Sequence, residues 1–297
     1  MAFNNRSGHL YLFTFLLIVA LAGCTSNSGE INSEPTSPLP TATSTSGASP
    51  TLATEAIPTS SPSPSPGLTK KSTEVEETSD LRICSPLQGK AITELTNTLF
   101  NPFNPPRSGR DDPHQGVDFA VQEYGIAISG NPVQSMLDGH VAAVIDNRFP
   151  YGNALLIETP LEFLASQSVS GIYLPTLSPT IEPHPALNCP QVSPVPSWNS
   201  EKRSLYLFYA HLKEPPSFQI DEAVECGQII DQIGDSGNAL NPHLHLEVRI
   251  GPSEARFGSM AHYSTSASPE EMSAYCTWRV REIFQLVDPI QLLSTTQ

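Results

Sequence analysis

His243 and His245 stand one residue apart in Asn241-Pro242-His243-Leu244-His245-Leu246-Glu247-Val248-Arg249. Side chains of an extended strand alternate between faces, so the two imidazoles point the same way while Leu244 and Leu246 fall opposite, where a core would want them. Neutral imidazole is a common zinc ligand. A bare His-x-His is equally a pair of hydrogen-bonded strand histidines, so chemistry requires partners. His114 and Asp118, in His114-Gln115-Gly116-Val117-Asp118-Phe119-Ala120, share one side of a strand at an interval of four. Pro113, Gly116 and the β-branched and aromatic neighbours favour extended chain there over helix. His211 closes the β-like run Ser204-Leu205-Tyr206-Leu207-Phe208-Tyr209-Ala210-His211-Leu212. A catalytic zinc keeps three protein ligands and one open position for water. Three ligands taken from these five residues would leave two for acid–base work, a division that suits metal-assisted hydrolysis. The other histidines read as bystanders: His9 in the leader, His184 in an insertion, His262 in a polar loop and His140 exposed at the start of a strand.

The elements that must position these residues are short β-like runs separated by turn signals. Val141-Ala142-Ala143-Val144-Ile145 follows Asp138-Gly139, and Ala154-Leu155-Leu156-Ile157-Glu158 follows Tyr151-Gly152-Asn153. Glu225-Cys226-Gly227-Gln228-Ile229-Ile230 and the turn Asp235-Ser236-Gly237-Asn238 then lead to the histidine strand. Such spacing predicts an antiparallel sheet. Residues 160–203 interrupt it with Pro, Ser and Thr, an inserted loop able to wall a cleft. Ser268-Pro269-Glu270-Glu271 carries the signature of a helix start, and Met272, Cys276, Val280, Ile283 and Phe284 recur at helical spacing. One amphipathic C-terminal helix of about 15 residues is expected, with no chemical role.

The formal charge of −15 and the absence of any Lys/Arg cluster argue against a nucleic-acid partner and against electrostatic adhesion to anionic lipid. Arg6 and the apolar run from Leu10 to Ala22 describe a secretory signal too short for a comfortable membrane span. Leu21-Ala22-Gly23-Cys24 is similar to the bacterial lipobox, which implies that residues 1–23 are removed and that Cys24 carries the lipid anchor. Residues 25–80 are dominated by Ser, Thr, Pro and Ala and have too few large apolar side chains to offset the entropy of ordering. As a tether they would span about 40 Å when coiled and roughly 170 Å when fully polyproline-like. Order is expected over 81–297. The four cysteines within it, Cys84, Cys189, Cys226 and Cys276, suggest two disulfides in any of three pairings.

From about Ser108 to Leu292 the chain resembles the lysostaphin-like (LytM-type) zinc metallopeptidases that cut peptidoglycan peptides. The matching pieces are His114 to Ala120, Asp138-Gly139, Tyr151-Gly152-Asn153, Tyr209-Ala210-His211-Leu212, Gly227-Gln228 and Gly234 through Glu247, in that order. The resemblance implies a mainly β fold, an antiparallel β-sheet groove. It implies zinc as cofactor on His114, Asp118 and His245, His243 as general base, and His211 orienting water or stabilising the transition state. The implied activity is hydrolysis of stem-peptide or cross-bridge amides by a zinc-activated water, outside the cytoplasm on a membrane-anchored lipoprotein. Leu246 stands where the family often has Phe, a packing change; the insertion and the C-terminal helix are additions that bear on groove shape. Some relatives lacking zinc ligands regulate other wall hydrolases without catalysis, so a non-enzymatic or autoinhibited regulator is the alternative. A zinc carboxypeptidase or D-Ala-D-Ala dipeptidase, with its related His-Asp-His set, fits the Tyr-Ala-His-Leu element less well.

Overall fold

Leu244, Leu246, Val248 and Ile250 alternate with His245, Glu247, Arg249 and Gly251 along one strand, and this period of two sets the two faces of the fold. The computed structural model describes residues 82–163, 181–192 and 197–294. The expected signal segment, Cys24, the linker 25–80 and residues 164–180 and 193–196 of the insertion lie outside them. The strands run in order as β1 (Leu99–Asn101), β2 (Val117–Phe119), β3 (Gln122–Glu123), β4 (Ile126–Ala127), β5 (Pro132–Gln134) and β6 (Gly139–Arg148). They continue as β7 (Gly152–Pro160), β8 (Asn199–Leu212), β9 (Ala223–Val224), β10 (Ile229–Gln232), β11 (Leu244–Ser253) and β12 (Gln285–Val287). Helix α1 spans Pro269–Arg279 and α2 spans Pro289–Ser294.

Eight of these strands form one sheet in the order β1-β2-β11-β8-β7-β6-β9, with β12 also on β11, and every pairing is antiparallel. The fold is mainly β, as expected. Both faces of the sheet are covered. Leu155, Ile157, Leu205, Leu207 and the leucines of β11 point into one core, which α2 closes with Leu292 and Leu293. Leu156, Tyr206, Phe208 and Ala210 point into the other, closed by Tyr275 and Trp278 of α1 and by Phe284. Fully burying one such aliphatic or aromatic side chain contributes about 1.5–3 kcal/mol, so the interleaved register is strongly specified.

That register places the chemistry. His245 lies directly opposite Asp118 on β2 and opposite Ala210 on β8, so Asp118 and His211 are delivered beside it from its two neighbours. His114 is not within a strand; it precedes β2 and bridges Asn104.

The C-terminal region differs from the sequence expectation. The capping box is as read: Ser268 Oγ accepts from the Glu271 amide at 3.2 Å and Glu271 accepts from the Ser268 amide at 2.9 Å. The helix, however, stops after 11 residues, and Ile283 and Phe284 lie beyond it. Leaving the helix lets Gln285–Val287 pair with β11 and lets the Phe284 ring fill the space above Gly251, where a Cβ would collide with it. Nor is α1 amphipathic in the simple sense, since Ser273 through Trp278 are all buried. A second helix, α2, follows. The insertion is shorter than 160–203, because Asn199–Arg203 already belong to β8. The cysteines pair as Cys84–Cys226 and Cys189–Cys276, the second tying the insertion to α1.

Candidate metal centre

Gly116 explains how two histidines from distant parts of the chain meet. A Cβ at this position would stand 2.9 Å from the His245 ring and against the Leu246 carbonyl, so only glycine lets the turn after His114 lie on β11. His114 Nε2 then sits 3.1 Å from both Asp118 Oδ1 and His245 Nδ1, and His245 Nδ1 sits 2.8 Å from the same carboxylate oxygen. Tetrahedral zinc with bonds of 2.0–2.2 Å spaces its ligands by about 3.3 Å, so the triangle needs only a slight expansion to hold the ion.

Hydrogen bonds on the far sides of the rings decide which atoms are free to ligate. His114 Nδ1–H donates to the Pro102 carbonyl at 2.9 Å, which leaves a lone pair on Nε2. His245 Nε2–H donates to Glu247 Oε1 at 3.1 Å, which leaves a lone pair on Nδ1. Asp118 Oδ2 is held by the Asn101 side-chain amide at 3.1 Å, with Oδ1 turned inward. Three lone pairs thus converge on one point, an arrangement that calls for a cation. Burial pushes the Asp118 carboxyl up, but with no metal bound the two rings can turn a proton instead of a lone pair towards it, and hydrogen bonds and charge from His114 and His245 then hold its pKa well below the usual range. Burial disfavours charge on His245 too, yet Asp118 and Glu247 raise its pKa to about 9. The electrostatic field at this point therefore favours positive charge. Among the described residues these three form the metal-competent His/Cys/Asp/Glu group.

His211 and His243 face the same space without joining the triangle. Their rings lie 4.7 Å apart, and His243 Nε2 is 3.7 Å from Asp118 Oδ1. His243 Nδ1–H donates to the Asn241 carbonyl at 2.7 Å and His211 Nδ1–H to the Ser236 carbonyl at 2.8 Å. Each is thereby fixed in the tautomer whose Nε2 can accept a proton. Burial first, and then the neighbouring imidazoles, push the His211 pKa down to about 3, so it is neutral at pH 7. His211 also has a φ of 59°, a left-handed conformation costly for a side chain of its size. The Tyr151 carbonyl, accepting from its amide at 3.0 Å, and the Gly234 amide, donating to its carbonyl at 3.0 Å, maintain it. Gly152 and Gly237 complete this support: a Cβ on Gly152 would run into Ser236, whose carbonyl orients the His211 ring.

All five residues singled out in the sequence, His114, Asp118, His211, His243 and His245, therefore line one cavity of about 390 Å³. Of the four set aside, His140 is exposed, His184 lines a second cavity, and His9 lies outside the described residues. His262 does lie in a loop, as read, but is buried there. It is 3% exposed, stacks on Tyr275, and its Nε2–H donates to the Asn188 carbonyl at 2.8 Å.

Sequence reasoning missed Glu247 and Arg279. Glu247 is fully buried; besides the bond from His245, it accepts from Arg249 at 2.9 Å, Trp278 at 3.0 Å and Arg279 at 2.8 Å. Burial pushes its pKa up, but Arg249, His245 and Arg279 together hold it well below the ordinary range. Arg279, the last residue of α1, also donates to the Asp111 carbonyl at 3.0 Å, three residues before His114. This guanidinium thus links the carboxylate behind His245 to the loop that carries His114. The signal for Glu247 was present, since it follows His245 at strand period; nothing in the pattern of 268–284 marks Arg279.

No family model matches the sequence, and no curated protein matches it. Among solved structures, the catalytic domain of the antimicrobial peptidase lysostaphin from Staphylococcus simulans is similar at 16% identity and a TM-score of 0.34, covering 69% of this chain and 98% of that one. A catalytic-domain variant of the prophage-encoded M23 protein EnpA from Enterococcus faecalis gives 17% identity and 0.31, over 54% and 85%. A zinc-containing peptidase from Vibrio cholerae gives 26% and 0.30, over 50% of this chain and 32% of that one. At these TM-scores the chemical reading stands on the residues and distances of this chain.

Proposed function

We propose that this chain is a zinc metallopeptidase of the lysostaphin-like kind that hydrolyses amide bonds in peptidoglycan stem peptides or cross-bridges. The observation that carries this reading is the convergence of three lone-pair donors beside two histidines whose Nε2 atoms are turned into the same cavity. His114 Nε2, His245 Nδ1 and Asp118 Oδ1 would hold the zinc. Bound there, zinc lowers the pKa of a water and polarises a carbonyl. His243 Nε2 accepts the proton released from the attacking water and returns it to the leaving amine. His211, neutral and locked through Ser236, accepts a hydrogen bond at Nε2 and so orients that water. Tyr151 and Arg279 line the cavity behind the reacting groups, with Arg279 held by Glu247 and donating to the Tyr151 hydroxyl.

Digestion of chemically defined muropeptides tests the reading. Wild type should cleave one amide bond, His243→Ala should lose about 10²–10⁴ in kcat, and His114→Ala should be inactive through loss of metal. Substantial and equal cleavage by all three proteins contradicts the assignment. The lipobox-like Leu-Ala-Gly-Cys24 further supports an extracytoplasmic, lipid-anchored protein. Cys24→Ser should release the chain from the membrane fraction of cells expressing it; retention there contradicts the anchor.

A further inference from the structure

The sequence has no run of basic residues, yet the fold gathers four arginines around one space that the histidines do not touch. Arg107, Arg110, Arg249 and Arg279 line a cavity of about 320 Å³, bounded on its other sides by the end of α1 and by β12. None of His114, Asp118, His211, His243 and His245 lines it, and its one carboxylate is that of Glu282. Arg249 and Arg279 share a single ion-pair partner, Glu247, which also accepts from His245. Arg107 and Arg110 are exposed and have no ion-pair partner among the described residues. Setting Glu247 and Glu282 against the four guanidiniums leaves two positive charges uncompensated, in a chain whose formal charge is −15. Like charges around a partly enclosed space repel more strongly than in bulk water, and an anion seated among them removes that repulsion.

We propose that this cavity is a binding site for a phosphate monoester, with the phosphate among the four arginines and the esterified group along Pro105, Pro106 and Phe284. A monoester carries about −1.5 to −2 at pH 7 and so matches the two uncompensated charges, whereas a diester or a carboxylate supplies only one. The basic residues lining the cavity are all arginine, whose planar fork takes phosphate oxygens in pairs where a lysine offers a point charge. At roughly 30 Å³ for each water-sized group, a phosphate leaves more than half the cavity free. Pro105, Pro106 and Phe284 line that remainder and suit the carbon skeleton of the ester. The ligand is not the substrate of the metal centre, and the site does not depend on the peptidase reading.

Calorimetry on the full-length, zinc-loaded chain carrying Cys24→Ser, which has no lipid anchor, tests the site. The probes are glycerol 3-phosphate, a monoester, and glycerophosphoglycerol, a diester. The monoester should bind about tenfold more tightly than the diester. Arg107→Ala and Arg110→Ala should each weaken monoester binding about tenfold, while His114→Ala, which removes a ligand of the metal centre, should leave it unchanged. Thermal unfolding of each variant checks that the fold is intact. No binding, equal affinity for the two esters, or binding that survives both arginine substitutions overturns the site. Binding lost in His114→Ala alone places the phosphate on the metal and overturns it too. Sedimentation with phosphatidic acid vesicles, against vesicles of phosphatidylcholine alone, separates the two sources of a monoester. Selective co-sedimentation that Arg110→Ala abolishes assigns a lipid headgroup to the site; binding of the soluble ester without co-sedimentation assigns a free phosphate ester.

Discussion

Proton placement on five imidazole and carboxylate groups governs what this centre can do. Without metal, His245 has a pKa raised to about 9 by Asp118 and Glu247 acting against burial, so zinc must displace its proton. Zinc affinity, measured by competition with a chelator, should therefore rise with pH by about tenfold per unit up to about 9 and then level off. The stability of the metal-free protein should run the other way. A raised histidine pKa stabilises the fold fully below the unfolded value of about 6.5, and that contribution is lost as pH rises through about 9. The gap between metal-loaded and metal-free unfolding temperatures should thus widen from pH 6 to pH 9; a constant gap contradicts the proton assignment. Glu247→Gln should weaken zinc binding by about 10–100-fold and, by leaving Arg249 and Arg279 without a buried counter-charge, destabilise the fold by about 3–5 kcal/mol. At this scale the sequence was most legible. Metal ligation and proton transfer have few side chains to draw on, so His114, Asp118, His211, His243 and His245 stood out by type. Glu247 did not, because a glutamate on a strand face reads as solvent-facing until the covering helix is seen.

Strand β11 and helix α1 carry the same information in different ways. β11 announces its two faces by alternation, and its register with β2 and β8 follows once those faces are known. Helix α1 announces only its start. Its end, and the turn that frees Phe284 and β12, depend on pairing with β11 and on Gly251, contacts that no local pattern encodes. The role of Arg279 is legible only in three dimensions. Arg249 and Arg279 both pair with Glu247, and both reach the segment bearing His114, Arg279 through the Asp111 carbonyl and Arg249 through the Gln115 side chain. Arg279→Met and Arg249→Met should therefore each weaken zinc binding as well as stability. Zinc affinity unchanged in Arg279→Met, measured alongside chemical denaturation of each variant, reduces Arg279 to a structural pair. Reduction of Cys189–Cys276, alone blocked by Cys189→Ser with Cys276→Ser, should cost about 2–5 kcal/mol by freeing the insertion from α1.

Over the whole molecule, a sheet covered on both faces supports a polar centre at one end of its central strands, where β2, β11 and β8 bring Asp118, His245 and His211 side by side. Alternation and turn residues predicted that sheet, whereas the pairing of its four cysteines and the path of the C-terminal chain required the fold itself. Everything proposed for the centre depends on a metal held by His114 Nε2, His245 Nδ1 and Asp118 Oδ1. Zinc content and zinc-edge X-ray absorption on the dialysed full-length protein test that most directly. The expected result is one zinc per chain in a four-coordinate shell, with two imidazole nitrogens at about 2.0–2.1 Å and oxygen in the remaining places. That zinc should be lost in His114→Ala. A wild-type chain that retains no zinc, or a His114→Ala chain with the same zinc content and spectrum, contradicts the account.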